Sequence, residues 1–141
     1  MPKRPDYEEV LIYPGPHFTA EWYYTAEGRM PAKEYYDALS EMDQDRFDDM
    51  IRYLCDTKPG SPLPKTLYRI EDHANKIYAL KPRAERFFNF MTSGAKVIMT
   101  NAYHKHSQQM TKADLEHLKV AAKYRADYLA RVKGDTYYEE N

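Results

Sequence analysis

The first 60 residues contain one strand-like and two helix-like patterns of hydrophobic positions. Apolar and polar side chains alternate around Trp22 and Tyr24, and the run "AEWYYTAEGR" ends at a Glu-Gly turn, which is typical of a strand and its exit. Pro31 suits the first turn of a helix, so we predict a short helix over 31–39. A second helix is predicted within "SEMDQDRFDDMIRYLC", because its apolar residues recur at the spacing of one helical face: Phe47, Met50, Ile51, Leu54 and Cys55.

A proline-rich segment ends this helical half. Prolines at 59, 62 and 64 are tolerated neither inside a helix nor in a central strand. Four short runs of aromatic and β-branched residues follow: "TLYRIED", "KIYALKPR", "RFFNFMT" and "KVIMTNAYHK". The breaks between these runs are too short for a parallel crossover, so we predict that the four strands are antiparallel.

The last predicted element is a helix over 112–133. Thr111 with Asp114 three residues later resembles a helix start, and Gly134 closes the pattern. The apolar face of this helix comprises Leu115, Leu118, Ala122, Leu129 and Val132. We expect residues 134–141 to form a flexible acidic tail. The whole pattern predicts an α+β fold, a single domain of residues 1–141 with its core over 20–133.

Composition limits the class of protein. With 141 residues and 43% hydrophobic content, the chain is long enough for one compact domain with a core. No apolar run is long enough for a membrane span, and no apolar region of signal-peptide length follows the basic N-terminal residues. The single Cys55 lies on the apolar stripe of a predicted helix, where a buried thiol is expected. We therefore expect a soluble, cytoplasmic protein without membrane contacts.

The charges are distributed unevenly, although the net charge is only −1. Residues 1–60 carry 7 Lys and Arg against 13 Asp and Glu, a net charge of −6. Residues 61–133 carry 14 against 6, a net charge of +8. The second half is therefore the candidate surface for a polyanion such as RNA.

The segment "AYHKHSQQ" contains the candidate chemistry. His104 and His106 would share one face of a strand, as metal ligands can, but no third ligand lies at a recognised spacing. Strand alternation places Lys105 on the opposite face from both histidines. The segment is consistent with a metal site, with exposed polar sequence or with a phosphodiester site.

RNA cleavage without a metal or cofactor requires a base, an acid and cations that stabilise the phosphorane. The second half supplies all three kinds of group. The candidate catalytic residues are Lys81, Arg86, His104, Lys105 and His106. The candidate RNA-binding residues are Arg83, Tyr103, Gln108, Lys112, Lys119 and Lys123.

The stretch "RFFNFMTSGAKVIMTNAYHKHSQQMTKADLEHLKVAAKYRADYL" resembles the HigB-like branch of the RelE/ParE toxin superfamily. In that family, an Arg-led aromatic strand is followed by an apolar strand, a segment aromatic-x-Lys-Lys-Thr-Gln-Lys-Thr-Pro, and a helix that begins with an acidic residue. Arg86, Tyr103, Lys105 and Gln108 match the family positions. The second lysine, the third lysine and the proline are replaced here by His106, Gln109 and Thr111.

The resemblance implies a RelE-like fold, with an N-terminal strand and two helices packed on a twisted antiparallel sheet and a C-terminal helix. It also implies a type II toxin that enters the ribosomal A site, cuts mRNA and is neutralised by a helix-turn-helix antitoxin. In that role, Lys105 and Arg86 would stabilise the phosphorane, and His104 or His106 would transfer protons. Two alternatives remain open: a binding protein of the same fold that inhibits a protein partner, and a catalytically inactive phage or prophage relative.

Overall fold

The computed structural model describes residues 4–138 as an α+β fold around one six-stranded sheet. The four helices are α1 (Tyr7–Val10), α2 (Pro31–Asp37), α3 (Glu41–Asp56) and α4 (Lys112–Lys133). The six strands are β1 (Leu11–Pro14), β2 (Thr19–Trp22), β3 (Tyr68–Asp72), β4 (Ile77–Leu80), β5 (Glu85–Met91) and β6 (Lys96–His104). Helix α4 has the predicted bounds, and α2 ends two residues before the predicted 39.

The sheet is mixed, with strand order β1-β2-β6-β5-β4-β3. The four strands of the second half pair with one another in antiparallel fashion, as predicted. Strand β2 pairs parallel with β6, so the prediction of a purely antiparallel sheet is wrong. The long segment between these two strands contains both α2 and α3, and this supplies the crossover that a parallel pair requires.

The N-terminal elements α1 and β1 were not predicted. Helix α1 is a single turn, too short to show a helical period, and β1 does not alternate apolar with polar residues. Strand β1 pairs antiparallel with β2 at one edge of the sheet. The turn between them passes close to α3, since a Cβ on Gly15 would lie 2.6 Å from the Cβ of Cys55. Glycine is therefore required there by close packing.

Helices cover both faces of the sheet. On one face, α2 and α3 pack on a core that includes Trp22, Phe87 and Met99. The predicted helix residues Phe47, Met50, Ile51, Leu54 and Cys55 are all at most 2% exposed in this core, and burial raises the pKa of the Cys55 thiol to about 12. On the other face, α4 packs on Ile77, Phe88, Phe90 and Ile98 through Leu118, Ala121 and Tyr128.

The last described residues pack against the protein, so the predicted flexible tail is wrong for Tyr137 and Tyr138. Tyr137 is 1% exposed and stacks on Tyr24 with ring centroids 4.3 Å apart. Tyr138 donates a hydrogen bond of 2.6 Å to the buried Glu21. The acidic composition of the segment suggested disorder, but the free energy gained by packing two aromatic rings keeps it ordered. Residues 139–141 of the predicted tail lie outside the described residues.

Within residues 4–138, no helix combines the length and the hydropathy that crossing a membrane requires.

Candidate functional site

A small concave surface, which we call the basic cleft, lies on the α4 face of the sheet. Its volume is about 130 Å³. Four cationic side chains line it: Arg69, Lys81, Arg86 and Lys105. The remaining lining residues are Glu71, Ala79, Phe88, Tyr103, Gln108 and Met110.

Strand alternation explains why the four cations converge. Arg69 of β3 pairs with Ala79 of β4, and Lys81 follows Ala79 by two residues, so these side chains share a face. Arg86 of β5 pairs with Tyr103 of β6. The Lys105 amide donates to the Ala84 carbonyl at 2.8 Å, which extends the alternation beyond the last residue of β6.

Carboxylates balance only part of this positive charge. Glu71 lies 3.4 Å from Arg69 and 3.5 Å from Lys81, measured between charged atoms. Among the described residues, Arg86 forms no ion pair, and its guanidinium instead donates hydrogen bonds of 2.9 Å to the Arg83 and Glu85 carbonyls. Arg86 is therefore the cation of the cleft with the most capacity to bind an external anion.

The buried carboxylate of Asp114 connects the cleft to the start of α4. It accepts hydrogen bonds from the Tyr103 hydroxyl at 2.6 Å and from the Lys105 ammonium at 2.7 Å. It also accepts from the Thr111 backbone amide at 2.7 Å, as part of a capping box. Burial raises the pKa of Asp114, but the donors from Lys105, Tyr103 and Thr111 outweigh it and hold the pKa well below its usual value.

Two other cleft residues have shifted protonation equilibria. Burial lowers the pKa of the Lys81 ammonium; Glu71 partly opposes this effect, and Arg69 and Arg86 reinforce it. Burial and the hydrogen bond to Asp114 raise the pKa of Tyr103 well above its usual value, so the phenol stays protonated at neutral pH. Burial therefore shifts Lys81 towards its neutral, proton-accepting form.

His104 lies on the opposite face of the sheet from the basic cleft. Its Nδ1 is 2.8 Å from Oε1 of the buried Glu85, whose other oxygen accepts a hydrogen bond from Tyr35. The strand alternation that directs Lys105 into the cleft turns His104 away from it. The structure therefore separates this predicted proton-transfer residue from the cations of the basic cleft, although its ring contacts that of His106, with centroids 4.8 Å apart.

His106 and Arg83 line a neighbouring concavity, which we call the outer depression. Its volume is about 350 Å³, and it is lined by Arg83, Ala84, Arg86, Lys105, His106, Ser107 and Gln108. Arg86, Lys105 and Gln108 also line the basic cleft, so the two concavities are adjacent. Of the predicted RNA-binding residues, Tyr103 and Gln108 thus lie in the cleft and Arg83 beside it.

The other predicted RNA-binding residues lie along α4. Lys112 and Lys119 line an open groove of about 720 Å³ between α4 and the turn from β3 to β4. Lys119 also pairs with Glu116 at 3.3 Å. Lys123 is exposed on α4 and lines neither the basic cleft nor the outer depression. These three lysines extend the basic surface but do not join the cleft.

Sequence reasoning missed Arg69, Glu71 and Asp114 as members of the site. Arg69 and Glu71 alternate on β3 at positions 69 and 71, which places them on one face, but the pairing of β3 with β4 was needed to identify that face. Asp114 was recognised as a helix-start residue and as a nearby carboxylate whose spacing does not suit a metal site with His104 and His106. Its spacing from Thr111 predicted the capping box and gave no sign of the contact with Lys105.

The arrangement suits a phosphate bound by several cations beside a proton acceptor. Four cations surround a cavity too small for a whole nucleotide, since ligand pockets span about 300–1,000 Å³. The described residues contain no group of three His, Cys, Asp or Glu side chains that could hold a metal ion. The chemistry that this geometry offers is electrostatic stabilisation of a phosphorane combined with proton transfer.

No protein-family model matches the chain, and no curated protein sequence matches it.

Proposed function

We propose that the chain is a HigB-like toxin of the RelE/ParE superfamily that cuts mRNA on the ribosome. The observation that carries the proposal is the convergence of Arg69, Lys81, Arg86 and Lys105 on one concave surface. Lys81, Arg86 and Lys105 were candidates from the sequence, and the last two match the family's basic positions. The α+β architecture, with two helices on one face and a long C-terminal helix, is consistent with a RelE-like fold.

In the proposed reaction, the 2′-hydroxyl oxygen attacks the adjacent phosphorus and the bond from phosphorus to the 5′ oxygen breaks. The neutral form of Lys81 accepts the 2′-hydroxyl proton. Arg86 and Lys105 stabilise the charge on the phosphorane, and the Lys105 ammonium donates a proton to the leaving 5′ oxygen. The products are a 2′,3′-cyclic phosphate and a 5′-hydroxyl end.

This assignment transfers the proton steps from the histidines to lysines. His104 is paired with Glu85 on the other face, and His106 lies in the outer depression. Asp114 acts as a positioning residue, because it fixes the Tyr103 hydroxyl and the Lys105 ammonium beside the phosphate. The proposed partners are the ribosome with its mRNA and a helix-turn-helix antitoxin, all in the cytoplasm.

Inducible expression in a bacterium tests this function when growth and transcript integrity are followed together. We expect rapid growth arrest with new mRNA 5′ ends. Arg86→Ala should abolish both effects, whereas Arg46→Ala, which removes an exposed arginine of α3, should not. Growth arrest with intact mRNA contradicts the nuclease and supports an inhibitor of a protein partner. Normal growth with intact mRNA supports an inactive relative.

A further inference from the structure

The outer depression differs in size and chemistry from the basic cleft that it adjoins. Its volume of about 350 Å³ falls within the range of ligand pockets, about 300–1,000 Å³, whereas the cleft is much smaller. The residues that line only the outer depression include an imidazole, a hydroxyl and a guanidinium, contributed by His106, Ser107 and Arg83. The imidazole and guanidinium planes can stack on the face of a nucleobase, and the hydroxyl can hydrogen-bond its edge.

The walls of the outer depression are held in place by contacts outside it. The His106 ring packs edge-on against the His104 ring, with centroids 4.8 Å apart, and His104 is itself fixed by Glu85. On the other side, Arg83 has a left-handed backbone with φ +59° and pairs with Asp43 at 3.3 Å. The His106 ring is therefore a supported surface on which a base can stack.

Three residues, Arg86, Lys105 and Gln108, belong to both concavities. A ligand that places a phosphate among the cations of the cleft therefore has the outer depression as its immediate neighbour. In a single-stranded nucleic acid, the group next to a phosphate is a nucleoside with an unstacked base.

We propose that the outer depression is a nucleotide subsite, which binds the base adjacent to the phosphate held in the basic cleft. His106 stacks on the base, and the Gln108 amide hydrogen-bonds its edge. The inference rests on the proposed function for the identity of the ligand as RNA. It adds a binding role for His106 that is separate from proton transfer, and it predicts that this subsite influences which sequences are cut.

Binding of uncleavable oligonucleotides tests the subsite without any cleavage reaction. The probes are four 2′-O-methyl tetranucleotides, each with a single base type, and their abasic counterpart, titrated into the isotope-labelled full chain by NMR. All carry the same phosphates, so the difference in Kd measures the contribution of the bases. We expect at least one tetranucleotide to bind about tenfold more tightly than the abasic probe, as base stacking on a side chain can supply.

The variants separate the two concavities. His106→Ala should remove most of the difference between base-bearing and abasic probes, while abasic binding stays unchanged. Gln108→Ala should reduce the same difference, and because Gln108 lines both concavities it should also weaken abasic binding. Arg86→Ala should weaken both probes. Gln109→Ala is the matched control, because Gln109 is an exposed neighbour that lines neither concavity, and it should bind like the parent.

Equal affinities for base-bearing and abasic probes overturn the subsite, as does a base preference that survives both His106→Ala and Gln108→Ala. Failure to bind any probe overturns the subsite and the anion-binding cleft together. The proposed nuclease fails in a different way: mRNA stays intact during expression although the tetranucleotides still bind at the outer depression.

Discussion

At the scale of single residues, Lys81 determines how the proposed reaction depends on pH. Burial lowers the pKa of its ammonium despite the opposing effect of Glu71, and Arg69 and Arg86 lower it further. The neutral form is the one that accepts a proton, so in the proposed reaction a larger fraction of the protein is competent at neutral pH than an ordinary lysine would allow.

The cleavage rate should therefore rise with pH and level off below about 10.4, the pKa of an unperturbed lysine. Lys81→Arg keeps the positive charge but cannot release a proton at these pH values. It should lower the single-turnover rate by a factor of about 10²–10⁴ and remove the pH-dependent rise. Lys58→Arg, at an exposed position in the proline-rich segment, is the control. A Lys81→Arg profile identical to that of the parent excludes Lys81 as the base.

The sequence alone did not determine which of His104 and Lys105 faces the other cations. Alternation along β6 predicted only that the side chains of Lys105 and His104 point to opposite faces of the sheet. That choice depends on Arg86 pairing with Tyr103, which is a long-range contact between β5 and β6. The bulge between Phe88 and Asn89 further shifts the register of these strands, and no local pattern in the sequence encodes it.

At the scale of elements, the start of α4 is tied to the basic cleft through Asp114. One carboxylate completes the capping box with Thr111 and also pairs with Lys105, whose side chain is only 14% exposed. Removing the charge therefore weakens a helix terminus and leaves a largely buried ammonium without its partner. The capping effect can be separated from the loss of the ion pair, because Thr111 takes part in the capping box but not in the ion pair with Lys105.

Asp114→Asn should reduce the free energy of unfolding at pH 7 by about 3 kcal/mol, whereas Thr111→Ala should cost about 1 kcal/mol. Because the folded-state pKa of Asp114 lies below its unfolded value of about 3.9, this carboxylate stabilises the fold above about pH 4 and loses that contribution as the pH falls further. In urea unfolding, the difference in the free energy of unfolding between the parent and Asp114→Asn should therefore become smaller in acid. If Asp114→Asn and Thr111→Ala lower the free energy of unfolding by the same amount at every pH, Asp114 is not coupled to Lys105.

The elements that the sequence predicted best are those with many periodic positions. Helix α4 has 22 residues and matched its predicted bounds, although Leu115 and Leu129 of its predicted apolar face are exposed. The apolar positions of α3 all lie in the core. Helix α1 is a single turn and β1 does not alternate, so neither carries such a period. The parallel pairing of β2 with β6 depends on tertiary packing and could not be read from either strand alone.

At the scale of the whole molecule, the two ends of the described chain meet on one buried carboxylate. Glu21 accepts hydrogen bonds of 2.6 Å from both Tyr7 and Tyr138, and Lys96 lies 3.1 Å from it. Next to this cluster, Tyr137 packs on Tyr24 and Tyr128. The C-terminal segment therefore contributes to the core beneath α4.

Tyr137→Ala should destabilise the protein by about 3–5 kcal/mol, the usual cost of deleting a buried aromatic ring. The control is Tyr53→Ala, because Tyr53 is 50% exposed on α3, and the expected change is within about 0.5 kcal/mol. Chemical denaturation of both variants measures the difference. If both variants unfold like the parent, the C-terminal segment does not pack in solution as described.

The central claim is that the basic cleft cuts mRNA, and cleavage by the purified chain on programmed ribosomes tests it most directly. We expect the parent to produce new 5′-hydroxyl ends within the ribosomal A site. Arg86→Ala and Lys105→Ala should each be slower by a factor of about 10²–10³, while Arg46→Ala should cut like the parent. Intact mRNA with the parent protein, or undiminished cleavage by Arg86→Ala and Lys105→Ala, would contradict the account.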